Sequence, residues 1–281
     1  HAWLQLGGEL GSAGSIDDEA PVEEVVRLLF ERRSSPTADA DADERTAAAA
    51  NIDAQAAQLR CLNEAVRVDP RWPAAWSALA HAYSDAGYHE AAIHAATQAV
   101  ATAPRDPATW VLLGNTLTAA QGGPGAGAEP LSATVPGPTL VQVRCVDCHV
   151  RALALSPKYA PAWHGIGCAL GRDEATRIGG HIITQQQCFV RCLTLDPRCK
   201  SAWNNLGAAM AEGDTVAVRG ARLDRVGCLV QAVRLDPAYA RAWCNLGSAL
   251  PAGASVRVGD AVVTDEECLR RGGAPWRKRS S

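Results

Sequence analysis

No run of 18 apolar residues occurs in the 281-residue chain, so a membrane-crossing helix is not expected. No signal-peptide pattern is present either, and the chain starts at His1 without Met, inside a helix-like segment. It stops just after a degenerate repeat, which points to a piece of a longer protein. An excess of basic charge is also missing: 27 Lys and Arg against 30 Asp and Glu give a formal net charge of −3. A nucleic-acid binder normally shows a basic stripe, and none is evident. There is no nucleophile elbow, kinase signature or zincin pattern. The histidines His81, His89, His94, His164 and His181 form no local pair fit for catalysis, and His89 and His94 are spaced one residue too far apart to share a helix face. Catalysis by this chain is therefore not expected.

What is present is a repeat. Ala-Trp recurs at Trp3, Trp76, Trp163, Trp203 and Trp243, with Thr-Trp at Trp110. The units read AWLQLGGEL, AWSALAHAY, TWVLLGNTL, AWHGIGCAL, AWNNLGAAM and AWCNLGSAL. Apolar residues stand at the tryptophan, three later and seven later, the spacing of one helix face. Gly207 sits beside the stripe Trp203, Leu206 and Met210, where a side chain would hold two helices apart. A second segment closes each unit (CLNEAVRVDP, AATQAVATAP, CHVRALALSP, CFVRCLTLDP, CLVQAVRLDP, and the decayed CLRRGGAPWR). Its apolar residues are four apart, and proline bars further helix at Pro70, Pro104, Pro157, Pro197 and Pro237. The unit is helix, connector, helix, proline turn.

The 34 residues from Trp76 to Trp110, with tryptophan, leucine, small residue, alanine and proline in that order, resemble the tetratricopeptide repeat. The resemblance implies an all-α fold, an α-solenoid of antiparallel helix pairs in about six units, each buried against its neighbours. The whole of 1–281 then forms a single repeat domain, interrupted by inserts.

Trp163, Trp203 and Trp243 are 40 residues apart, and the extra residues ATRIGGHIIT, TVAVRGARLD and SVRVGDAVVT place β-branched residues around a two-residue turn. They predict β-hairpins over 175–183, 215–223 and 255–263, between the two helices of each unit. Thr184-x-x-Gln187 and Thr264-x-x-Glu267 read as capping boxes opening the second helices. The third unit carries a Gly/Pro-rich loop over 121–144, leading into a degenerate hairpin. Its GGPGAG stretch lacks the strand and helix a dinucleotide site needs. The first unit holds an insert over 12–58, with a candidate helix at Pro21–Arg33 and an acidic stretch from Ser34 to Glu44 expected to be disordered. From Thr46 the chain should run helically into Cys61 and Val66.

Cys61, Cys148, Cys188, Cys228 and Cys268 occupy one position of the second helix, and units with an insert have this cysteine. A small buried side chain packed against the insert accounts for them. Equivalent positions of stacked repeats lie on the order of 10 Å apart, beyond disulfide reach. A reducing, intracellular setting, the cytoplasm, is therefore expected. Cys145-Val-Asp-Cys148-His149 matches the c-type haem attachment pattern. However, Cys148 is the recurrent repeat cysteine, and His149 stands where Phe189 and Leu229 stand in later units. Haem stays a remote alternative; no cofactor and no metal are expected, since no second Cys/His pair has zinc spacing.

In the tetratricopeptide family the first helices line a concave groove that binds a protein segment. Carried over by position, the peptide-binding candidates are Asn205, Asn245, Asn115, His164, Arg241 and His81. Asn205 and Asn245 are equivalent, two residues after tryptophan, and family members that bind extended peptides use asparagine there. An amide can pair both the N–H and the C=O of a peptide backbone. The other reading is that these amides bond to a neighbouring repeat. The expected partner is a protein or peptide, with neither nucleic acid nor membrane. A structural spacer, self-associating through hairpin edges, is the alternative.

Overall fold

The computed structural model describes residues 42–121, 131–135, 141–172 and 174–273, with side chains from residue 54 onward. Trp3, the Pro21–Arg33 helix, the GGPGAG stretch and the Arg-Lys-Arg tail lie outside the described residues. Eleven helices are seen among those described. The first is α1 (Ala42–Val68), the long second helix of unit one. It begins within the acidic stretch expected to be disordered. The complete pairs follow: α2 (Pro73–Asp85) with α3 (His89–Thr102), α4 (Pro107–Ala120) with α5 (Cys145–Leu155), α6 (Ala160–Ala169) with α7 (Gln185–Leu195), α8 (Lys200–Ala209) with α9 (Arg225–Leu235), and α10 (Ala240–Ala249) with α11 (Asp265–Arg271). Each helix packs on the next, and first helices also touch along the array, α2 on α4 and α4 on α6. This is the α-solenoid.

Four antiparallel hairpins interrupt the pairs: β1 (Ser132–Val135) with β2 (Val141–Arg144), β3 (Ala175–Ile178) with β4 (His181–Thr184), β5 (Thr215–Val218) with β6 (Ala221–Asp224), and β7 (Ser255–Val258) with β8 (Ala261–Thr264). The last three lie where β-branched alternation puts them. The first shows that part of the Gly/Pro-rich 121–144 segment is paired strand. Gly179-Gly180 and Arg219-Gly220 have positive φ at both turn residues, the type I′ pattern that matches strand twist. At Gly259-Asp260 only the glycine is positive, as type II′ requires. Strand pleat then sends Ile183 and Val263 into the core while Ile182 and Val262 face outward. The hairpins also lean backward: β1 on α3, β5 on α7 and β7 on α9, the second helix of the preceding unit in each case.

The junctions between helices follow from the sequence. Thr184 and Gln187 form the full capping box. Thr264 accepts from the Glu267 N–H at 3.2 Å. The Glu267 carboxylate is turned to Arg270 and Arg271, so that box is half made in practice. Asp224 caps α9 by accepting from Gly227 N–H at 2.7 Å.

At the proline turns the five described tryptophans use one device. Trp76, Trp110, Trp163, Trp203 and Trp243 each donate their indole N–H to the carbonyl of the turn proline six residues earlier, at 2.8–3.1 Å. Asp196 and Asp236 accept from the N–H two residues on, at 3.0 and 2.9 Å, so the turn is closed from both sides.

Between the paired helices, the glycine four residues after tryptophan makes the room foreseen for Gly207. A Cβ there would lie 2.7 Å from Leu229 Cγ; one on Gly167 would lie 2.6 Å from the Phe189 ring, and one on Gly247 2.7 Å from Leu269 Cγ. The repeat cysteines Cys148, Cys188, Cys228 and Cys268 are fully buried. Cys61 departs from this expectation and is exposed. Among the described residues α1 packs chiefly on α2, which leaves the Cys61 side of that helix uncovered.

Replacing Trp203 with Phe keeps the apolar contact and removes only the indole N–H. Urea unfolding of Trp203→Phe should show a loss of about 1 kcal/mol with an unchanged m-value; no loss would mean that the bond to Pro197 contributes nothing.

Candidate functional site

The predicted groove residues come from the first helices, whose inner surfaces follow one another along the array. His164, on α6, is half-buried. So are Asn205 on α8 and Asn245 on α10, whereas His81, Asn115 and Arg241 are exposed. Three of the six are brought together. Asn245 donates its amide to Asn204 Oδ1 at 2.8 Å, and Asn204 donates to Asn205 Oδ1 at 3.1 Å. Asn205 Nδ2 lies 3.3 Å from Cys168 Sγ and 3.5 Å from His164 Nε2. The result is a continuous polar line across α10, α8 and α6.

Its hub is Asn204, 1% exposed, which the sequence reading passed over. The available signal was its rarity: the residue after tryptophan is Ser77, Val111, His164 and Cys244 in the other described units, and only here an amide. An amide in so buried a position needs partners, and its two neighbours supply them. Asn205 and Asn245, two of the three predicted asparagines, therefore bond to neighbouring repeats while remaining half-open to solvent.

Cys168 Sγ is 3.6 Å from His164 Nε2. Burial pushes the Cys168 thiol up to about 11, partly offset by the Asn205 amide, and burial lowers the His164 imidazole. Near neutral pH both are uncharged, so the pair offers hydrogen-bonding groups and not a thiolate nucleophile.

His81 stands apart from this line. It borders an open cleft of about 480 Å³ between α2 and α4, with Trp72, Ser77, Asp106 and Thr109. Asn115 borders neither, and Arg241 reaches the line only through its charge, which favours the Cys168 thiolate.

The Cys145-Val-Asp-Cys148-His149 motif lies on α5 with all three functional side chains buried. His149 fills the place of Phe189 and Leu229. Its ring is wedged so tightly that a Cβ on Gly114 would lie 2.6 Å, and one on Gly165 2.3 Å, from ring atoms. A porphyrin face has no room to approach it. Neither ring nitrogen has a hydrogen-bond partner. Among the described residues no group of three or more His, Cys, Asp and Glu is arranged to hold a metal ion.

Burial, with a smaller contribution from His164, lowers the His149 pKa to about 3, whereas the unfolded chain protonates near 6.5. The unfolded state therefore binds the extra proton first as pH falls. Stability is full above pH 6.5 and declines below it, by up to about 1.4 kcal/mol per pH unit, until the folded pKa is reached. His149→Leu should flatten this limb of the stability profile, measured by denaturant unfolding between pH 7 and pH 4, and raise stability at pH 7 by about 1 kcal/mol. An unchanged acid limb would clear His149 of the effect.

Residues 73–116, spanning α2, α3 and most of α4, match the family model described as tetratricopeptide repeat. The curated proteins give no match. Among solved structures the chain is similar to TTC0263, a thermophilic TPR protein in Thermus thermophilus, at 17% identity over 81% of this chain and 98% of that one, with TM-score 0.47. It is similar to YrrB, described as a TPR protein with an unusual peptide-binding site, at 16% identity over 69% and 84%, with TM-score 0.40. MamA protein gives 16% identity over 78% and 96%, with TM-score 0.40. Residues 73–116 are thus similar to a tetratricopeptide repeat, and the helix pair of that segment recurs through five successive units of the described residues.

Proposed function

We propose that this chain is a noncatalytic scaffold that holds a protein segment along the groove formed by its first helices. Tetratricopeptide repeats as a family serve in protein interaction, and the partner is accordingly a protein or peptide. The observation that carries the finer reading is the polar line from Asn245 through Asn204 and Asn205 to His164. Internal bonds hold each amide at a fixed rotamer, so less entropy is lost when a remaining donor or acceptor meets a peptide backbone. Uncharged amides suit the main chain of a partner in preference to its charged side chains. The exposed Arg241 and Arg172 give too little positive charge for a clamp on a terminal carboxylate; Arg172 is moreover engaged with the Ala208 carbonyl at 3.2 Å.

Panning a random peptide library on the folded domain should yield segments that bind in extended form. The double variant Asn205→Ala, Asn245→Ala, with an unaltered circular dichroism spectrum, should weaken them about tenfold, the loss of one to two hydrogen bonds. Undiminished binding by the double variant would remove these asparagines from the site.

One observation favours the second reading, self-association through the hairpins. Ile182 and Val262 are 67% and 62% exposed on the outward faces of two-stranded sheets whose edges are open. Replacing both with Thr should lower the weight-average mass seen by light scattering if that surface pairs copies of the chain. A wild-type mass equal to one chain at every concentration would discard this reading.

A further inference from the structure

Cys192 and Cys199 occupy positions filled differently in the neighbouring repeats. The residue at Cys199, the N-cap of α8, is Tyr159 before α6 and Tyr239 before α10. The residue at Cys192, on the inner face of α7, is Ala152 on α5 and Ala232 on α9. Where those units have a tyrosine and an alanine, this unit has two thiols. The smaller N-cap residue and the larger helix residue complement one another, and the Cys192 thiol faces the Cys199 sulfur.

The backbone brings them together. Asp196 N–H bonds to Cys192 C=O at 2.7 Å, and Cys199 N–H returns to Asp196 C=O at 3.4 Å, folding the chain back on itself through Pro197. Cys199 is half-buried and within reach of solvent, whereas Cys192 is 1% exposed. The Cys192 thiol first, and then the first amides of α8 at Ala202 and Ser201, favour negative charge on the Cys199 sulfur and lower its pKa against the opposing effect of burial. The Cys192 thiol is held above its ordinary value, chiefly because it donates to Cys199 and is buried. The other cysteines lack this combination. Burial pushes Cys188 and Cys228 up to about 12, and Cys244 donates to the Gly272 carbonyl at 3.1 Å. Cys61 is exposed in the middle of α1, away from any helix N-terminus.

We propose that Cys192 and Cys199 are a redox modification site, a dithiol that a hydroperoxide converts to an intramolecular disulfide across the turn joining α7 to α8. The Cys199 thiolate attacks the outer peroxide oxygen, the O–O bond breaks, and the departing alkoxide or hydroxide takes up a proton. This leaves a sulfenic acid on Cys199. The Cys192 sulfur then attacks the Cys199 sulfur, the S–O bond breaks, and hydroxide leaves with the Cys192 proton as water. In sum two thiols lose two electrons and two protons, and the peroxide is reduced to an alcohol, or to water when it is hydrogen peroxide, plus water. The bond ties the second helix of one repeat to the first helix of the next, and a thiol reductant reverses it.

The test treats the reduced chain with equimolar hydrogen peroxide at neutral pH, blocks remaining thiols with N-ethylmaleimide and digests with trypsin. Cleavage after Arg191, Arg198 and Lys200 puts the two cysteines on separate peptides, 192–198 and 199–200, so their linked form is diagnostic. The linked pair should be the dominant oxidation product, forming on the order of tenfold faster than Cys61 is modified. Cys199→Ser should spare Cys192 from oxidation. Cys192→Ser should leave a sulfenic acid on Cys199 that dimedone captures, in protein whose circular dichroism shows it folded. Either Cys61 or Cys244 reacting first, or Cys199 oxidised in the wild-type chain without the linked peptide, would overturn the proposal.

Discussion

The bond from each tryptophan indole to the carbonyl of the turn proline is the constraint on which the array depends. Proline ends the second helix of one unit because it has no N–H to give and its ring bars the helical path. Its own carbonyl is then left without a helical donor at a point where two units meet. The indole of the next helix supplies that donor from six residues further on, and in doing so fixes the angle at which the next unit starts. A large apolar ring with a single polar edge suits a site that is dry on one side and hydrogen-bonded on the other. Arg191 and Arg271 cover the outer faces of two of these rings, Trp163 and Trp243, at 5.0 and 4.9 Å. The turn is therefore closed by residues of both helices of a unit.

Once the angle is set, spacing is governed by the glycine four residues after tryptophan. Each presents bare backbone to one side chain of the paired helix: His149, Phe189, Leu229 and Leu269 along the array. The facing residue varies freely in kind, but its place does not. This explains how a histidine came to sit in a leucine's position, with Gly165 of the following unit yielding the extra space. It also explains why the repeat cysteines stay small, since helices held this closely leave little volume beside the contact.

Much of this was legible from residues alone. The tryptophan interval distinguished the plain unit from those with hairpins, and the two-residue turns gave strand ends to within a residue, because turn chemistry is local. The cap at Thr184 was readable for the same reason. The site was less so. That Asn205 and Asn245 lie on one surface follows from their equal repeat positions, but their joint bond to Asn204 depends on how far one repeat is rotated against the next. No local pattern records that rotation. The uncovered face of Cys61 and the pairing of Cys192 with Cys199 likewise depend on what stands opposite, which a repeat alignment shows only as a substitution.

The backward lean of the hairpins has a mechanical consequence. Helix contacts join neighbouring units in two ways, second helix to next first helix and first helix to first helix. β1, β5 and β7 add a further contact, made on the second helix of the preceding unit. Each added contact between units raises the resistance to their relative rotation. The angle between successive units, and with it the spacing of α6, α8 and α10, is therefore stiffened by strands that pack on the second helices.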